Sequence, residues 1–254
     1  MKPYYEHAGI TIYHGDCRDV LPNLQPESVT LLWTDPPYGH SNNDGDLQAS
    51  RVGIKGARQR EVITIQNDSQ EQMREVVDAA FGAAVPLLRS DCCCCCCCCG
   101  GGGPSPTFAW VAERMDRDGL SFFHSVIWDK SGRGNGLGWR FRRNHEMLMV
   151  AHKTRGRLAW AEDSRTVPNV LRDMPVIDRL HPNEKPLSLV GLFVSLTTQA
   201  GDLVLDPFCG SGVTLEAAKI AGRRAIGIEI EERYCEIAAK RLSQEVLNFE
   251  AEAT

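Results

Sequence analysis

The 254-residue sequence has no run of about 18 apolar residues, the length that a membrane-spanning helix requires. Its first seven residues lack the apolar segment of a secretory signal peptide. An excess of positive charge is also absent, because the formal net charge is −5. We therefore expect a cytoplasmic protein that does not bind a membrane and whose affinity for any polyanion comes from local basic patches. The length is sufficient for one large domain with a sizeable core.

The glycine pattern near the C-terminal end lacks the third glycine of a dinucleotide-binding fingerprint, G-x-G-x-x-G. The apolar segment Leu203–Asp206 leads into the turn 207–212, which contains Gly210 and Gly212 and precedes a predicted helix. Glycines at the amino end of a helix let backbone N–H groups approach a ligand. Glu229 ends the next apolar segment about 20 residues further on, the spacing at which an acid reaches a ribose hydroxyl. These features favour a nucleoside cofactor without a diphosphate over NAD.

Eight cysteines form one run, residues 92–99, and the other three are scattered. Adjacent cysteines alternate across a strand and do not have the spacing of a metal site or a disulfide framework. We predict a central parallel strand that is buried on both faces, in a reducing compartment and without a metal. A metal or redox cluster and an accident of codon repetition are the alternatives.

The most informative motif is Asp35-Pro36-Pro37-Tyr38, which directly follows the apolar run 29–34. The run predicts a buried strand, and the double proline ends it at an edge where open α/β sheets bind ligands. The carboxylate of Asp35 and the carbonyl of Pro36 can each accept a hydrogen bond, and the ring of Tyr38 can stack. The motif therefore suits a flat ring that carries an amino group. A simple strand-ending turn is the alternative.

With two further segments, these motifs resemble the beta-class amino-group DNA methyltransferases, which use S-adenosylmethionine. His181-Pro182-Asn183-Glu184-Lys185-Pro186 resembles the H-P-x-x-K-P segment of that class, and Gly15-Asp16-Cys17 resembles its acidic turn beside the cofactor's adenine. The tetrapeptide precedes the glycine turn, as in the permuted order of the class. The resemblance covers nearly the whole chain. It implies an α/β fold, a single-domain, mostly parallel Rossmann-like sheet with helices on both faces, which the alternation of predicted elements also favours.

The resemblance implies roles for individual residues. Asp35, Pro36, Pro37 and Tyr38 are implied to be catalytic, holding a flipped-out base whose exocyclic amine attacks the donor methyl group. Glu229 is implied to bind the ribose, and the alternative is that it caps the amino end of the last helix. Asp16 is implied to lie near the adenine, and the alternative is that it is a plain turn residue. The implied cofactor-binding residues are Asp16, Asp35, His181, Lys185, Pro186, Asp206, Pro207, Phe208, Cys209, Gly210, Ser211, Gly212, Thr214 and Glu229.

The target predicted for this chemistry is the N6 amine of adenine in double-stranded DNA. The leading Asp of the tetrapeptide resembles the N6-adenine enzymes, whereas N4-cytosine enzymes more often begin with Ser. The chain contains no Pro-Cys pair of the kind used for cysteine attack in C5 methylation. The alternatives are cytosine N4, the same chemistry on RNA or protein, a non-catalytic DNA-binding relative and a nicotinamide oxidoreductase.

The predicted organisation is a catalytic half (1–150), a short target-recognition insert (151–180) and a cofactor-binding half (181–254). The sequence that would be recognised cannot be read from the chain. The compact size suggests a solitary or phage-borne enzyme of restriction-modification type, and homodimers are common in this class. Basic residues in three polar segments are the predicted DNA contacts: Arg51, Lys55, Arg58, Arg60, Arg133, Arg140, Arg142, Arg143, Lys153, Arg155 and Arg157.

Overall fold

The computed structural model describes residues 1–37, 69–97, 107–130, 144–153, 160–161, 165–173, 176, 180–181 and 184–244. The strands in these ranges are β1 Tyr5–His7, β2 Ile10–His14, β3 Val29–Thr34, β4 Leu88–Cys97, β5 Ser121–Asp129, β6 His145–His152, β7 Val170–Arg172, β8 Leu203–Asp206 and β9 Arg224–Glu229. The α-helices are α1 Cys17–Val20, α2 Gln70–Ala84, α3 Thr107–Arg117, α4 Leu187–Thr197, α5 Val213–Ile220 and α6 Glu232–Ser243. Among the described residues, no helix is both long and apolar enough to cross a bilayer.

The strands form one mixed sheet in the order β1-β2-β9-β8-β3-β4-β6-β5-β7. The neighbours β2–β9, β9–β8, β8–β3, β3–β4 and β5–β7 are parallel. The pairs β1–β2, β4–β6 and β5–β6 are antiparallel. The predicted mostly parallel α/β sheet is therefore confirmed. In addition, β8 and β9 from the C-terminal part lie between β2 and β3 from the N-terminal part.

Helices cover both faces of the sheet, as the alternating pattern predicts. Every residue of β3 is buried. Leu32 belongs to the core with α2 and α3, whereas Leu31 and Trp33 belong to the core with α4, α5 and α6. Burial of a side chain such as Leu31 stabilises the fold by about 2 kcal/mol relative to its exposure. Because both faces of β3 are covered, the strand delivers the residue after it to a fixed place at the sheet edge.

The cysteine run forms a strand, as predicted, but its neighbours differ from the prediction. β4 pairs in parallel with β3 and antiparallel with β6, so the expected all-parallel environment is wrong on one side. The reason is that the chain returns from β5 to β6 as an antiparallel pair, which places β6 rather than a parallel crossover strand beside β4. The side chains at positions 92–97 lie outside the described residues, so burial on both faces stays a prediction.

Candidate active site

A cavity opens at the carboxyl ends of β2, β3, β8 and β9, where the motifs from distant parts of the sequence meet. Parallel strands carry their carboxyl ends to one edge, which is where α/β folds bind ligands. Of the predicted site residues, the cavity wall contains Asp16, Asp35, Pro36, Pro37, His181, Lys185, Asp206, Pro207, Phe208, Cys209, Gly210, Ser211, Thr214 and Glu229. Asp35-Pro36-Pro37 and the glycine turn, more than 160 residues apart in the sequence, thus face the same space.

Glu229 holds the glycine turn against the end of β9. Its Oε2 accepts the N–H of Gly210 at 2.9 Å, and its Oε1 accepts the N–H of Glu231 at 2.8 Å. Burial raises the pKa of Glu229 above its ordinary value, and these two hydrogen bonds oppose that rise. The N-cap of α6 is Glu231, so Glu229 is not the N-cap residue itself. Each carboxylate oxygen keeps a further lone pair for a donor in the cavity.

Asp206, the last residue of β8, shapes the start of the same turn. Its Oδ1 accepts the N–H of Phe208 at 3.0 Å, and its side chain is also hydrogen-bonded by Thr214. Burial raises the pKa of Asp206 to about 7, and the nearby carboxylates of Asp35 and Glu229 add to that rise. A carboxyl group with such a pKa carries only part of its charge near neutral pH.

Asp16 borders the cavity beside Glu229, because β2 and β9 are neighbours that end together. It is the N-cap of α1, where its Oδ1 accepts the N–H of Arg18 at 2.9 Å. The guanidinium of Arg18 donates to both carboxylate oxygens, at 2.9 and 2.5 Å, which lowers the pKa of Asp16. Asp16 therefore has the local geometry of a capping turn residue, the alternative given above. It also lines the cavity, so the two roles are compatible.

Asp35 is paired with Lys185 at the other side of the cavity. The Nζ of Lys185 lies 2.5 Å from Oδ2 of Asp35 and 3.4 Å from Oε2 of Glu146. Lys130, just after β5, contacts the other oxygen of Glu146. Burial raises the pKa of Glu146, but the two lysines outweigh it and leave that pKa below its ordinary value. Asp35 thus lies at the end of a chain of alternating charges.

Glu146 is a residue that sequence reasoning missed. It lies in β6 and is 8% exposed. The signal was available, since Glu146 is the only charged residue other than histidine within the apolar run 145–152. A charged residue in a buried strand is rare unless it is paired. Its partner Lys185 is distant in the sequence, so the pair itself could not be predicted.

The segment that carries His181 and Lys185 is anchored from two sides. The Oε2 of Glu184 accepts the N–H groups of Leu180 and His181, at 2.8 and 3.1 Å. The imidazole of His181 packs edge-on against Tyr234, with 4.5 Å between ring centroids. Burial lowers the pKa of His181 to about 4, so the ring is uncharged near neutral pH.

Gly212 and Pro186 were assigned to the cofactor but do not line the cavity. A Cβ at position 212 would lie 2.8 Å from Cβ of Ala238, so the glycine is required by the contact between α5 and α6. Pro186 is the N-cap of α4, where its fixed φ of −60° starts the helix. Packing and capping of helices thus give these two residues structural roles that a motif does not reveal, and their assignment to the cofactor stays a prediction.

Position 215 would hold the third glycine of a dinucleotide fingerprint, and Leu215 is fully buried there. A Cβ on Gly227 of β9 would lie 2.7 Å from Cδ1 of Leu215. In dinucleotide folds the third glycine allows close packing of helix against strand. Here the strand carries the glycine and the helix carries the large residue. The missing glycine therefore has a packing reason.

Lys153 was a predicted DNA contact, and its position argues against that role. Its Nζ donates to the carbonyl of Leu88 at the amino end of β4, the sheet edge opposite the cavity. The other predicted DNA contacts lie outside the described residues, as does the catalytic candidate Tyr38. Their assignments stay predictions.

Comparison with known proteins identifies the family. A model of the DNA methylase family, which covers N6 and N4 enzymes, matches residues 29–240. The chain belongs to the N6/N4 DNA methylase family. Its members are S-adenosylmethionine-dependent DNA methyltransferases, so the chain is a methyltransferase of this kind.

Individual relatives are similar in sequence to this methyltransferase along nearly its whole length. The type II methyltransferase M2.DpnII of Streptococcus pneumoniae is 27% identical over 259 residues, covering 96% of this chain and 93% of that protein. The type II methyltransferase M.HinfI of Haemophilus influenzae is 25% identical over 260 residues, covering 92% and 68%.

Solved structures have the same fold. A DNA modification methylase from Thermus thermophilus, solved with S-adenosyl-L-methionine, is 25% identical with a TM-score of 0.65, covering 94% of this chain and 96% of that one. The cytosine-N4-specific PvuII DNA methyltransferase has a TM-score of 0.74 at 20% identity, over 97% and 91% of the two chains, and that likeness concerns the fold alone.

The residues of the methyltransferase cavity fit S-adenosylmethionine, which supplies an electrophilic methyl group when bound. Gly210, with a φ of 49°, and Ser211 form a close turn at the amino end of α5. Glu229 and Asp16 provide carboxylates at the adjacent strand ends. The cavity therefore offers acidic acceptors beside a close glycine turn to a nucleoside with an amino-acid tail, and no third glycine for a diphosphate.

Proposed function

We propose that this methyltransferase modifies the N6 amine of adenine in duplex DNA. The observation that carries the proposal is that Asp35-Pro36 and the glycine turn line one cavity, so acceptor and methyl donor can be held side by side. The choice of adenine over cytosine is supported by Asp at position 35, where N4-cytosine enzymes of the resembled class more often have Ser. Holding both reactants in line supplies a large part of the rate enhancement.

Asp35 and Pro36 would hold the target amine by accepting its two N–H groups. The lone pair of an aromatic amine is delocalised into the ring, and hydrogen bonding toward a tetrahedral nitrogen makes it available. A nitrogen–carbon bond forms as the carbon–sulfur bond breaks, the electron pair of the broken bond stays on sulfur, and the nitrogen then loses one proton to water. Positive charge develops on the nitrogen beside the Asp35 carboxylate, which stabilises it where it appears. Tyr38 would stack on the flipped base.

The remaining site assignments are proposals of the same kind. Glu229 would bind the ribose, and Asp16 would lie near the adenine of the cofactor. Asp206 and the backbone of the turn 208–212 would surround its methionine part. The predicted basic residues other than Lys153 would contact the DNA backbone, and their contribution would fall steeply with added salt. The division into halves 1–150 and 181–254 with an insert 151–180, the cytoplasmic location, the phage origin and the homodimer stay predictions from the sequence.

The test is to incubate the protein with methyl-labelled S-adenosylmethionine and unmethylated duplex DNA, and to identify the labelled nucleoside by mass spectrometry. We expect N6-methyl-2′-deoxyadenosine from the wild type. Asp35→Ala should lower the rate at least about 100-fold, the scale of losing one group that stabilises a transition state. Glu71→Ala, which removes an exposed carboxylate of α2, serves as the control and should retain full activity.

Other outcomes are equally informative. Labelled N4-methylcytosine would keep the mechanism and overturn the choice of base. An absence of label in DNA, with label in RNA or protein that is offered in parallel reactions, would overturn the DNA substrate. Full activity of Asp35→Ala would remove Asp35 from the mechanism.

A further inference from the structure

Four charged side chains form a continuous cluster behind the active site. Lys130 contacts Glu146, Glu146 lies near Lys185, and Lys185 contacts Asp35. The four side chains are no more than 20% exposed, so the charges are largely shielded from water. Such charges interact strongly and are costly to leave unpaired. Their arrangement therefore constrains where each can move.

The two contacts of Lys185 differ in kind. The 2.5 Å distance from its Nζ to Oδ2 of Asp35 is that of a short, charge-assisted hydrogen bond. The 3.4 Å distance to Oε2 of Glu146 is longer than a normal hydrogen bond. Among the described residues, no group lies at normal hydrogen-bond length from this buried oxygen, and its ion pair is with Lys185. A buried acceptor without a hydrogen bond of normal length lowers the stability of the fold. The oxygen lies within a short movement of the ammonium of Lys185, which has three donors.

We propose that Glu146 is a positioning residue for the methyl transfer, acting through Lys185 as the second acceptor of its ammonium group. The target amine must donate to Asp35, whose Oδ2 already accepts from Lys185. When the amine takes that oxygen, the ammonium turns to Oε2 of Glu146. The inference rests on the proposed function, because it assigns a role in presenting Asp35 to an exocyclic amine.

The charges permit this exchange without any proton transfer. The ammonium stays protonated, and both carboxylates stay ionised. The lowered pKa of Glu146 is consistent with an ionised acceptor, since the two lysines outweigh the burial that raises it. Lys130 contacts the other oxygen of Glu146 and so holds the carboxylate in place while Lys185 moves. The exchange therefore needs only a rotation of one flexible side chain.

The principal test is Glu146→Gln, which keeps the shape of the side chain and removes its charge. We expect the single-turnover methylation rate to fall about 100-fold, the scale of a misplaced reacting group. The affinity for S-adenosylmethionine, measured by calorimetry, should be unchanged. Glu146→Asp keeps the charge and should restore part of the rate. If Glu146→Gln does not fold, Glu146→Asp is compared with the wild type alone, and equal rates would overturn the proposal.

A double-mutant cycle separates this role from a merely structural one. In a Lys185→Met background, Glu146→Gln should cause no further loss of rate, because both residues act through the same ammonium. Additive losses, or a full rate for Glu146→Gln alone, would overturn the role of Glu146. A wild type that methylates no DNA in this assay would instead overturn the proposed function, so the two failures are distinguishable.

Discussion

Gly212 begins α5 with a φ of 82°, a left-handed conformation that suits glycine. A Cβ at this position would lie 2.8 Å from Cβ and 3.3 Å from Cα of Ala238 in α6. The glycine thus satisfies two requirements at once, one of backbone conformation and one of space. The motif that contains it is therefore partly a packing motif.

Replacing Gly212 by Ala should lower the free energy of unfolding by about 3 kcal/mol, the sum of a left-handed alanine and an overpacked contact. Gly222→Ala is the matched control, because Gly222 has a φ of 70° and no described atom within 4 Å of the added Cβ. It should lose only about 1 kcal/mol. Urea unfolding of both variants measures the difference, and equal losses would contradict the packing explanation.

Asp206 makes stability depend on pH. Burial raises its pKa from 3.8 to about 7, so the folded protein binds a proton more tightly than the unfolded chain does. The folded state is therefore favoured at pH values below 3.8, and this contribution is lost as the pH rises to about 7. Each pKa unit corresponds to ~1.4 kcal/mol, so the loss reaches roughly 4 kcal/mol.

Asp206→Asn should remove this dependence, because an amide keeps the acceptor for Phe208 but does not ionise. We expect the melting temperature of the variant, relative to the wild type, to be higher at pH 8 than at pH 5. Measurement without cofactor in matched buffers tests this. A constant difference between the two pH values would show that Asp206 does not titrate with a raised pKa.

Single residues were predictable from the sequence where they follow a strand. Asp35 and Glu229 each end an apolar run, so their place at the sheet edge follows from the pattern alone. The pairing of Lys185 with Asp35 was not predictable, since the two are 150 residues apart and meet only in the folded sheet. The contacts of Glu146 were not predictable for the same reason, because its partners Lys130 and Lys185 lie outside its own strand.

At the scale of elements, Arg241 of α6 connects three parts of the site. Its guanidinium lies 2.6 Å from Oε1 of Glu184, 3.4 Å from Oγ of Ser211 and 3.4 Å from Oε2 of Glu216 in α5. The side chains of Arg241 and Glu184 are 13% and 5% exposed. The helix thereby fixes both the glycine turn and the segment that carries Lys185.

Arg241→Gln should destabilise the fold by about 3 kcal/mol, because it leaves the carboxylate of Glu184 without its cation in a buried place. Lys240→Gln on the same helix is the control. Lys240 forms an exposed pair with Glu236, and such pairs contribute little. Chemical denaturation should therefore give a lower midpoint for Arg241→Gln and an unchanged midpoint for Lys240→Gln. Similar midpoints for the two variants would remove Arg241 from this role.

Elements with strong patterns were predicted well, and short edge strands were not. β3, β8 and β9 have buried, apolar sequences, and their bounds differ little from those predicted. β1 and β7 have three residues each and carry no buried residue. They exist because longer strands offer them hydrogen-bond partners. The direction of β6 beside β4 likewise depends on the chain's path, which local sequence does not encode.

At the scale of the whole molecule, β8 and β9 lie between β2 and β3. The two predicted halves therefore share one continuous sheet, and the cavity is built from both. A ligand that fills the cavity contacts segments from Gly15 to Tyr234. Its binding should consequently stabilise the fold as a unit rather than one lobe of it.

S-adenosylmethionine at about 100 times its dissociation constant should add about 2.7 kcal/mol to the free energy of unfolding. For a domain of this size, that corresponds to a rise in melting temperature of roughly 5 to 10 °C. NAD at the same concentration should cause no rise, because the turn lacks the third glycine. A thermal shift assay with both compounds checks this, and the reverse order would contradict the cofactor assignment.

The cysteine run in β4 cannot specify the register of that strand, so the register depends on residues outside the run. A one-residue slip normally exchanges the inward and outward side chains of a strand, and that exchange penalises a wrong alignment. Within a stretch of identical residues, the slipped strand presents the same side chains to each face of the sheet, so the penalty vanishes. Leu88, fully buried opposite Val29, and the irregularity between Val29 and Leu31 lie before the run. These few residues at the amino end must therefore distinguish the native alignment from nearly equivalent ones during folding.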